Sequence, residues 1–199
     1  MSNEQLTRKR DWKAYYEAVA NRPPRKTILT ALGSFEQPGI AVDLGCGDGR
    51  DTVEIIRQNW AVLAVDKEAD AITRLLARPN LNTLQLTTKI ISFEELQFPT
   101  KVDLINASFS LPFCDPQAFP SLWNKIFNSL ASGGRFSGHL FGNRDSWSSN
   151  ELINTFTRSQ VETLLQSYAI ELLEEESHPG KTPLGEDRDW HIFHIVARK

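Results

Sequence analysis

Cysteine is scarce in this chain, and so is net charge. Only Cys46 and Cys114 occur among 199 residues. They lie far apart and form no CxxC pair, which excludes a disulfide framework and a cysteine-built zinc site; no metal site is expected. No apolar run approaches the roughly 18 residues that a membrane-spanning helix needs. The opening MSNEQLTRKRDW carries charges with no apolar stretch behind it, so a secretory leader is not expected and the cytoplasm is the expected location. There are no internal repeats and no low-complexity tract. A net charge of -3 argues against a broad nucleic-acid footprint. One basic cluster stands out, Arg8, Lys9, Arg10, Lys13, Arg22, Arg25 and Lys26. It suits a solvated helix face or the attraction of an anionic ligand.

What is present is a chain that is 40% hydrophobic and 24% charged, enough for one domain around a large core. A helix with Trp12, Tyr15 and Tyr16 is expected over 4–21, ended by Pro23-Pro24, and a second over 25–35. Strand and helix then alternate. Apolar strands are expected at 40–44, 61–65, 84–91, 102–107 and 135–141, with helices at 50–59, 68–78 and 116–130. Thr157 and Gln160 have capping-box spacing ahead of Val161 and Leu164. Two final strands, 168–173 and 190–197, have no helix between them and should pair antiparallel. The polar stretch between them, with Pro179, Gly180, Pro183 and Gly185, reads as a mobile loop. Alternation with short connections implies an α/β Rossmann-like three-layer sandwich. Its sheet would have seven strands, mostly parallel, with the last antiparallel. Residues 1–36 form a helical lid or cap and 37–199 the main domain.

The chemistry concentrates in Val42-Asp43-Leu44-Gly45-Cys46-Gly47-Asp48-Gly49-Arg50. A strand enters a glycine-rich turn that opens a helix, so backbone amides can face a ligand. Asp66 closes the next strand about 20 positions later, where an acid can bind ribose hydroxyls; its alternative role is to cap the helix from Glu68. A dinucleotide fingerprint needs a third glycine where Arg50 stands. A pyrophosphate cradle, and with it an NAD-dependent oxidoreductase, is therefore disfavoured. Asp43, just before the turn, suits a ligand with a cationic amine.

This pattern resembles motif I of class I methyltransferases that use S-adenosyl-L-methionine (SAM) and release S-adenosyl-L-homocysteine. The resemblance continues through Asp66, through Val102-Asp103-Leu104-Ile105-Asn106-Ala107-Ser108 and through Leu130-Ala131-Ser132-Gly133-Gly134. It covers about 39–199. The chain looks most like small methyltransferases related to tellurite-resistance proteins. The resemblance implies SAM contacts from Asp43, Gly45, Cys46, Gly47, Asp66, Lys67, Ser92, Phe93, Asn106 and Ala107. Ser92 stands where the family often has aspartate. Asn106 and Ala107 would offer mainly backbone carbonyls. Arg22 is a candidate for the methionine carboxylate.

Methyl transfer leaves the protein to position a nucleophile and shape the field. His139, late on the fifth strand, is the candidate base; its alternative is a hydrogen-bonded structural histidine. His191 and His194 should fall on opposite strand faces, and His178 should be solvated. Trp12, Tyr16, Phe109, Phe113 and Trp147 are candidates for the substrate site, with plain packing as their alternative. Cys46 has acidic neighbours that oppose a thiolate. The expected activity is methylation of a small-molecule acceptor, such as a thiol, oxyanion or hydroxyl compound, by a monomer or homodimer with no nucleic-acid or membrane partner. The alternatives are a protein or RNA methyltransferase, or a non-catalytic SAM-binding module.

Overall fold

The computed structural model describes residues 12–20 and 22–199. The first helix, α1, is Trp12–Val19; the rest of its expected span toward Glu4, with Arg8, Lys9 and Arg10, lies outside the described residues. Next come α2 (Lys26–Leu32), β1 (Ile40–Leu44), α3 (Thr52–Arg57), β2 (Ala61–Asp66), α4 (Ala69–Leu76), β3 (Leu86–Ile90) and β4 (Val102–Ala107). They are followed by α5 (Phe119–Ser129), β5 (Leu130–Gly142), β6 (Thr155–Phe156), α6 (Arg158–Leu164), β7 (Ala169–Lys181) and β8 (Asp187–Arg198).

The strands form one sheet in the order β3-β2-β1-β4-β5-β8-β7, with the two-residue β6 pairing onto the end of β5 as an eighth strand. The pairs from β3 to β5 are parallel. The last strand, β8, runs antiparallel to both β5 and β7. Because β1 and β4 are adjacent, the chain winds outward in both directions from them. In open α/β sheets, ligands bind at such a reversal, beyond the carboxyl ends of the strands.

Apolar runs at β1, β2 and β4 are buried on both faces, as parallel strands between helix layers must be. On one face the sheet packs against α5 and α6 through Phe119, Trp123, Ile126, Val161 and Leu165. On the other it packs against α2, α3 and α4 through Ile28, Leu32, Ile55, Ile72 and Leu75. The capping box at α6 forms in full, with Thr157 Oγ1 accepting from Gln160 N and the Gln160 side chain accepting from Thr157 N.

The polar stretch after residue 173 departs from expectation. It is paired strand: His178 lies opposite Trp190 and Lys181 opposite Asp187. Only 182–186 form the turn, closed by Gly185 N donating to Thr182 O at 2.9 Å. An edge strand needs no apolar face, and proline is tolerated there because its missing N–H points away from the partner. Thr182 and its neighbours are thereby carried toward the carboxyl end of the sheet, where they wall a cavity.

Candidate active site

The carboxyl end of β1 sets the site. Gly45 and Gly47 take φ of 68° and 56°, a region that side chains rarely adopt. Space is equally restrictive. A Cβ on Gly45 would sit 2.4 Å from Ser110 Cβ, and one on Gly47 3.2 Å from Tyr16 Cε1. The turn is thus pressed between the loop after β4 and helix α1. Asp66, at the end of β2, secures it: Oδ2 accepts from Gly47 N and Oδ1 from Glu68 N, each at 2.9 Å. Burial raises the pKa of this carboxyl.

Beneath the turn lies a buried polar cluster. Register pairs Asp43 on β1 with Asn106 on β4, and Asn106 Nδ2 donates to Asp43 Oδ1 at 2.9 Å. Thr52 Oγ1 donates to Asp43 Oδ2. Asp51, just before α3, accepts from Arg25 N at 3.1 Å and from the Arg25 guanidinium at 3.3 Å. Burial, reinforced by the charge of Asp51, pushes the Asp43 carboxyl up to about 7 against the hydrogen bonds of Thr52 and Asn106 and the charge of Arg25.

Asp43, Asp51, Asp66 and Arg25 open onto a cavity of about 340 Å³. Of the residues expected at a cofactor, Asp43, Gly45, Cys46, Gly47, Asp66, Lys67, Ser92 and Phe93 line it. Asn106 and Ala107 do not; Asn106 acts from behind, through its side-chain bond to Asp43, and its side chain matters more than the sequence suggested. Cys46 is buried, and burial together with Asp43 and Asp66 raises its thiol well above the ordinary value. It is a neutral thiol.

Helix α1 roofs the cavity. Tyr16 is 5% exposed, and Trp12 meets Phe113 edge to face at 5.8 Å. Trp12, Tyr15, Arg25, Phe109 and Phe113 also border a second cavity of about 310 Å³, walled on its far side by Trp147 and the β7–β8 hairpin. Arg22 lines this second cavity and not the first, so it is not placed for a carboxylate in the first. Phe109, between the two, has φ of 56°, uncommon for a bulky residue and a form of strain that recurs at functional sites. The ring of Phe109 is held by Arg25 on one account and His139 on another: the guanidinium carbon is 5.0 Å from its centroid, and His139 stacks on it at 4.1 Å and 14°.

His139 lies elsewhere than a base should. It is 2% exposed and borders neither cavity. Strand pairing sets it opposite His194. Burial, then the charge of Arg25, then that of His194 hold its pKa well below the usual value, so it is neutral. Of the other histidines, His191 is fully buried, with Nδ1 accepting from Arg144 N at 3.0 Å and Nε2 2.8 Å from Glu175 Oε1. His194 is partly exposed near Glu176, and His178 is exposed.

Sequence reasoning passed over Asp51 as a site residue, and it did not connect Arg188 with Asp145. Arg188 lines the second cavity with two of its three guanidinium nitrogens on Asp145. Asp51 sits one turn beyond the glycines, a position that a search around the motif would reach. Nothing in the sequence pairs residues 145 and 188.

Residues 41–134 match the methyltransferase domain family. The carboxy-S-adenosyl-L-methionine synthase of Hydrogenovibrio crunogenus is 28% identical over 121 residues, 56% of this chain and 48% of that protein. The chain thus spans about half the length of this curated relative. Among solved structures, the 1,6-didemethyltoxoflavin-N1-methyltransferase of Burkholderia thailandensis superposes with a TM-score of 0.67 at 22% identity, over 94% of this chain and 84% of that one. That structure contains 1,6-didemethyltoxoflavin and S-adenosylhomocysteine. TehB from Haemophilus influenzae superposes with a TM-score of 0.75 at 16% identity, covering 93% of this chain and 65% of its own. These structural likenesses are likenesses of fold.

Proposed function

We propose, from the match of residues 41–134 to the methyltransferase domain family, that the chain is a class I, SAM-dependent methyltransferase and that it transfers a methyl group from SAM to a small molecule held in the second cavity. The observation that carries this reading is the pair of cavities meeting at Phe109 and Phe113 under one helical roof. The donor set of the first cavity fits SAM by charge. Seven carboxylates and three cationic side chains border it, and SAM brings a sulfonium and an ammonium. Asp43 and Asp51 would hold the ammonium, and Asp66 the ribose hydroxyls through lone pairs its two amide partners leave over. Phe93 and Ser92 would border the adenine. When bound, SAM supplies a methyl carbon on cationic sulfur, which an acceptor lone pair takes while the C–S bond electrons stay on sulfur.

The chain's own residues then do three things. The carboxylates fix the donor end. Helix α1, with Trp12 and Tyr16, excludes water and acts as the lid, while α2 belongs to the core beneath the sheet. Phe109 sets the distance between the two ligands. The test is calorimetric titration with SAM, S-adenosylhomocysteine and NAD. Micromolar binding of the first two and none of NAD is expected; preference for NAD would overturn the reading. Asp66→Ala is expected to weaken SAM binding by about 1–3 kcal/mol, because it strands hydrogen-bonding groups. An unchanged dissociation constant removes Asp66 from the ribose.

His139 has a positioning role in this arrangement: it backs Phe109 and stays neutral. His139→Leu is expected to raise the acceptor KM while kcat stays within about threefold, since a general base would contribute about 10²–10⁴. The pH profile of kcat should keep its shape. A lost acid limb with a collapse in kcat would return His139 to the role of base.

A further inference from the structure

We infer that the second cavity selects a planar aromatic carboxylate as the methyl acceptor. The meaning of this inference rests on the methyltransferase reading; the binding it describes does not. Charge reverses between the two cavities. The first is bordered mainly by carboxylates. The second has four cationic side chains, Arg22, Arg25, Lys181 and Arg188, and two carboxylates, Glu176 and Glu186.

The cations are not equally engaged. Arg188 is committed to Asp145 through two bonds of 3.0 and 2.8 Å. Lys181 Nζ is 3.0 Å from Asp187. Both carboxylates have partners on the hairpin itself, Glu176 with His194 at 3.2 Å and Glu186 with Thr182 Oγ1 at 3.5 Å. The uncommitted positive charge is that of Arg22, which lines the second cavity and not the first. Arg22 is exposed there and its guanidinium has no acceptor among the described residues. Arg25 holds Asp51 with one nitrogen, but its Nε is buried and has no acceptor. A guanidinium matches a carboxylate in plane and in pairs.

The remaining wall is aromatic. Phe113 stands 6.1 Å from Trp147 and 5.9 Å from Phe141, ring to ring. Rings so arranged accept a flat guest by edge and face contacts. A volume of about 310 Å³ lies at the lower end for small-molecule sites. The cavity therefore takes an aromatic ring packed against the wall that Phe113 and Trp147 form together, with its carboxylate turned to Arg22 and Arg25.

The experiment measures binding. Protein saturated with S-adenosylhomocysteine, verified by calorimetry, is titrated with 4-hydroxybenzoate and 2-naphthoate and with their neutral amides, following tryptophan fluorescence. The carboxylates are expected to bind about tenfold more tightly than the amides, a difference of one decade in the dissociation constant. Arg22→Gln should abolish that preference while leaving S-adenosylhomocysteine affinity within about twofold, well under a decade. Equal affinity for acid and amide, binding of neither, or an undiminished preference in Arg22→Gln overturns the inference. Failure of S-adenosylhomocysteine to bind instead overturns the methyltransferase reading, and the same titrations on the unloaded protein then decide the carboxylate preference by the same criteria.

Discussion

Arg188→Ala is expected to destabilise the protein by about 3–5 kcal/mol, the range for removing one partner of a buried ion pair. The two side chains are 1% and 0% exposed. Arg188 Nε and one terminal nitrogen bond the two oxygens of Asp145, and the same carboxylate accepts from Trp147 N at 3.0 Å and His191 N at 3.2 Å. The guanidinium carbon also lies 3.3 Å from the centroid of Trp147 and 3.8 Å from that of Trp190. Truncation removes this stacking and leaves a buried carboxylate with no cation. At roughly 2–4 °C per kcal/mol for a chain of this size, the melting temperature should fall by about 10 °C. Arg188→Met with Asp145→Asn should recover part of the loss, since asparagine still accepts a hydrogen bond and carries no charge. Denaturant midpoints of these two variants, set against the parent protein, check this. A loss under about 1 kcal/mol would class the pair with surface salt bridges, whose contribution is small. Because Arg188 and Trp147 wall the second cavity, the single variant should also disturb acceptor binding more than SAM binding.

That pair marks where reading the sequence stops. The parallel strands were legible because burial on both faces demands apolar runs: Ala41, Val42 and Leu44, or Val62, Ala64 and Val65, leave no other economical assignment. The turn after β1 was legible for a similar reason. Positive φ and close contact with Ser110 and Tyr16 leave room for little but glycine. β7 was only half legible. Glu174-Glu175-Glu176-Ser177-His178-Pro179-Gly180 has the composition of a loop, and it is strand because β8 supplies all its backbone partners. β6, with two residues, has no periodicity to detect. Among the site residues, Asp43 and Asp66 sit near strand ends that local sequence defines. His139 sits on a strand end as well, but which face it takes, and that Phe109 covers it, depends on packing from another loop. Arg25 and Asp51 meet across 26 positions, and no local pattern encodes that contact.

SAM binding should release a proton near pH 6, and its affinity should rise with pH up to about 7. The cause is Asp43. Burial first, then Asp51, raise its carboxyl from an ordinary 3.8 to about 7. The sign follows from that direction. The folded chain holds the proton more tightly than the unfolded chain, so this group favours folding below about pH 4 and progressively less as pH climbs to 7. Across that interval this one group's contribution to the stability of the free protein falls by on the order of 4 kcal/mol, at 1.36 kcal/mol per pH unit. A cationic ammonium beside Asp43 favours the ionised form, so binding below pH 7 must expel the proton. Affinity should then improve by up to about tenfold per pH unit between 5 and 7 and level off above. Calorimetry in two buffers of different ionisation enthalpy reads the released proton directly: close to one per SAM at pH 5.5, close to none at pH 8. Asp43→Asn keeps an acceptor for Asn106 or Thr52, removes the titration and should flatten the profile at uniformly weaker affinity. The same variant should make the free protein more stable at pH 8, as expected where a binding site holds a charge that the fold alone disfavours. Buffer-independent heats at pH 5.5, or an unflattened profile in Asp43→Asn, would place the ammonium away from Asp43. Agreement on both counts would tie the binding of a cation to the one carboxylate at the end of β1 that burial holds half-protonated at neutral pH.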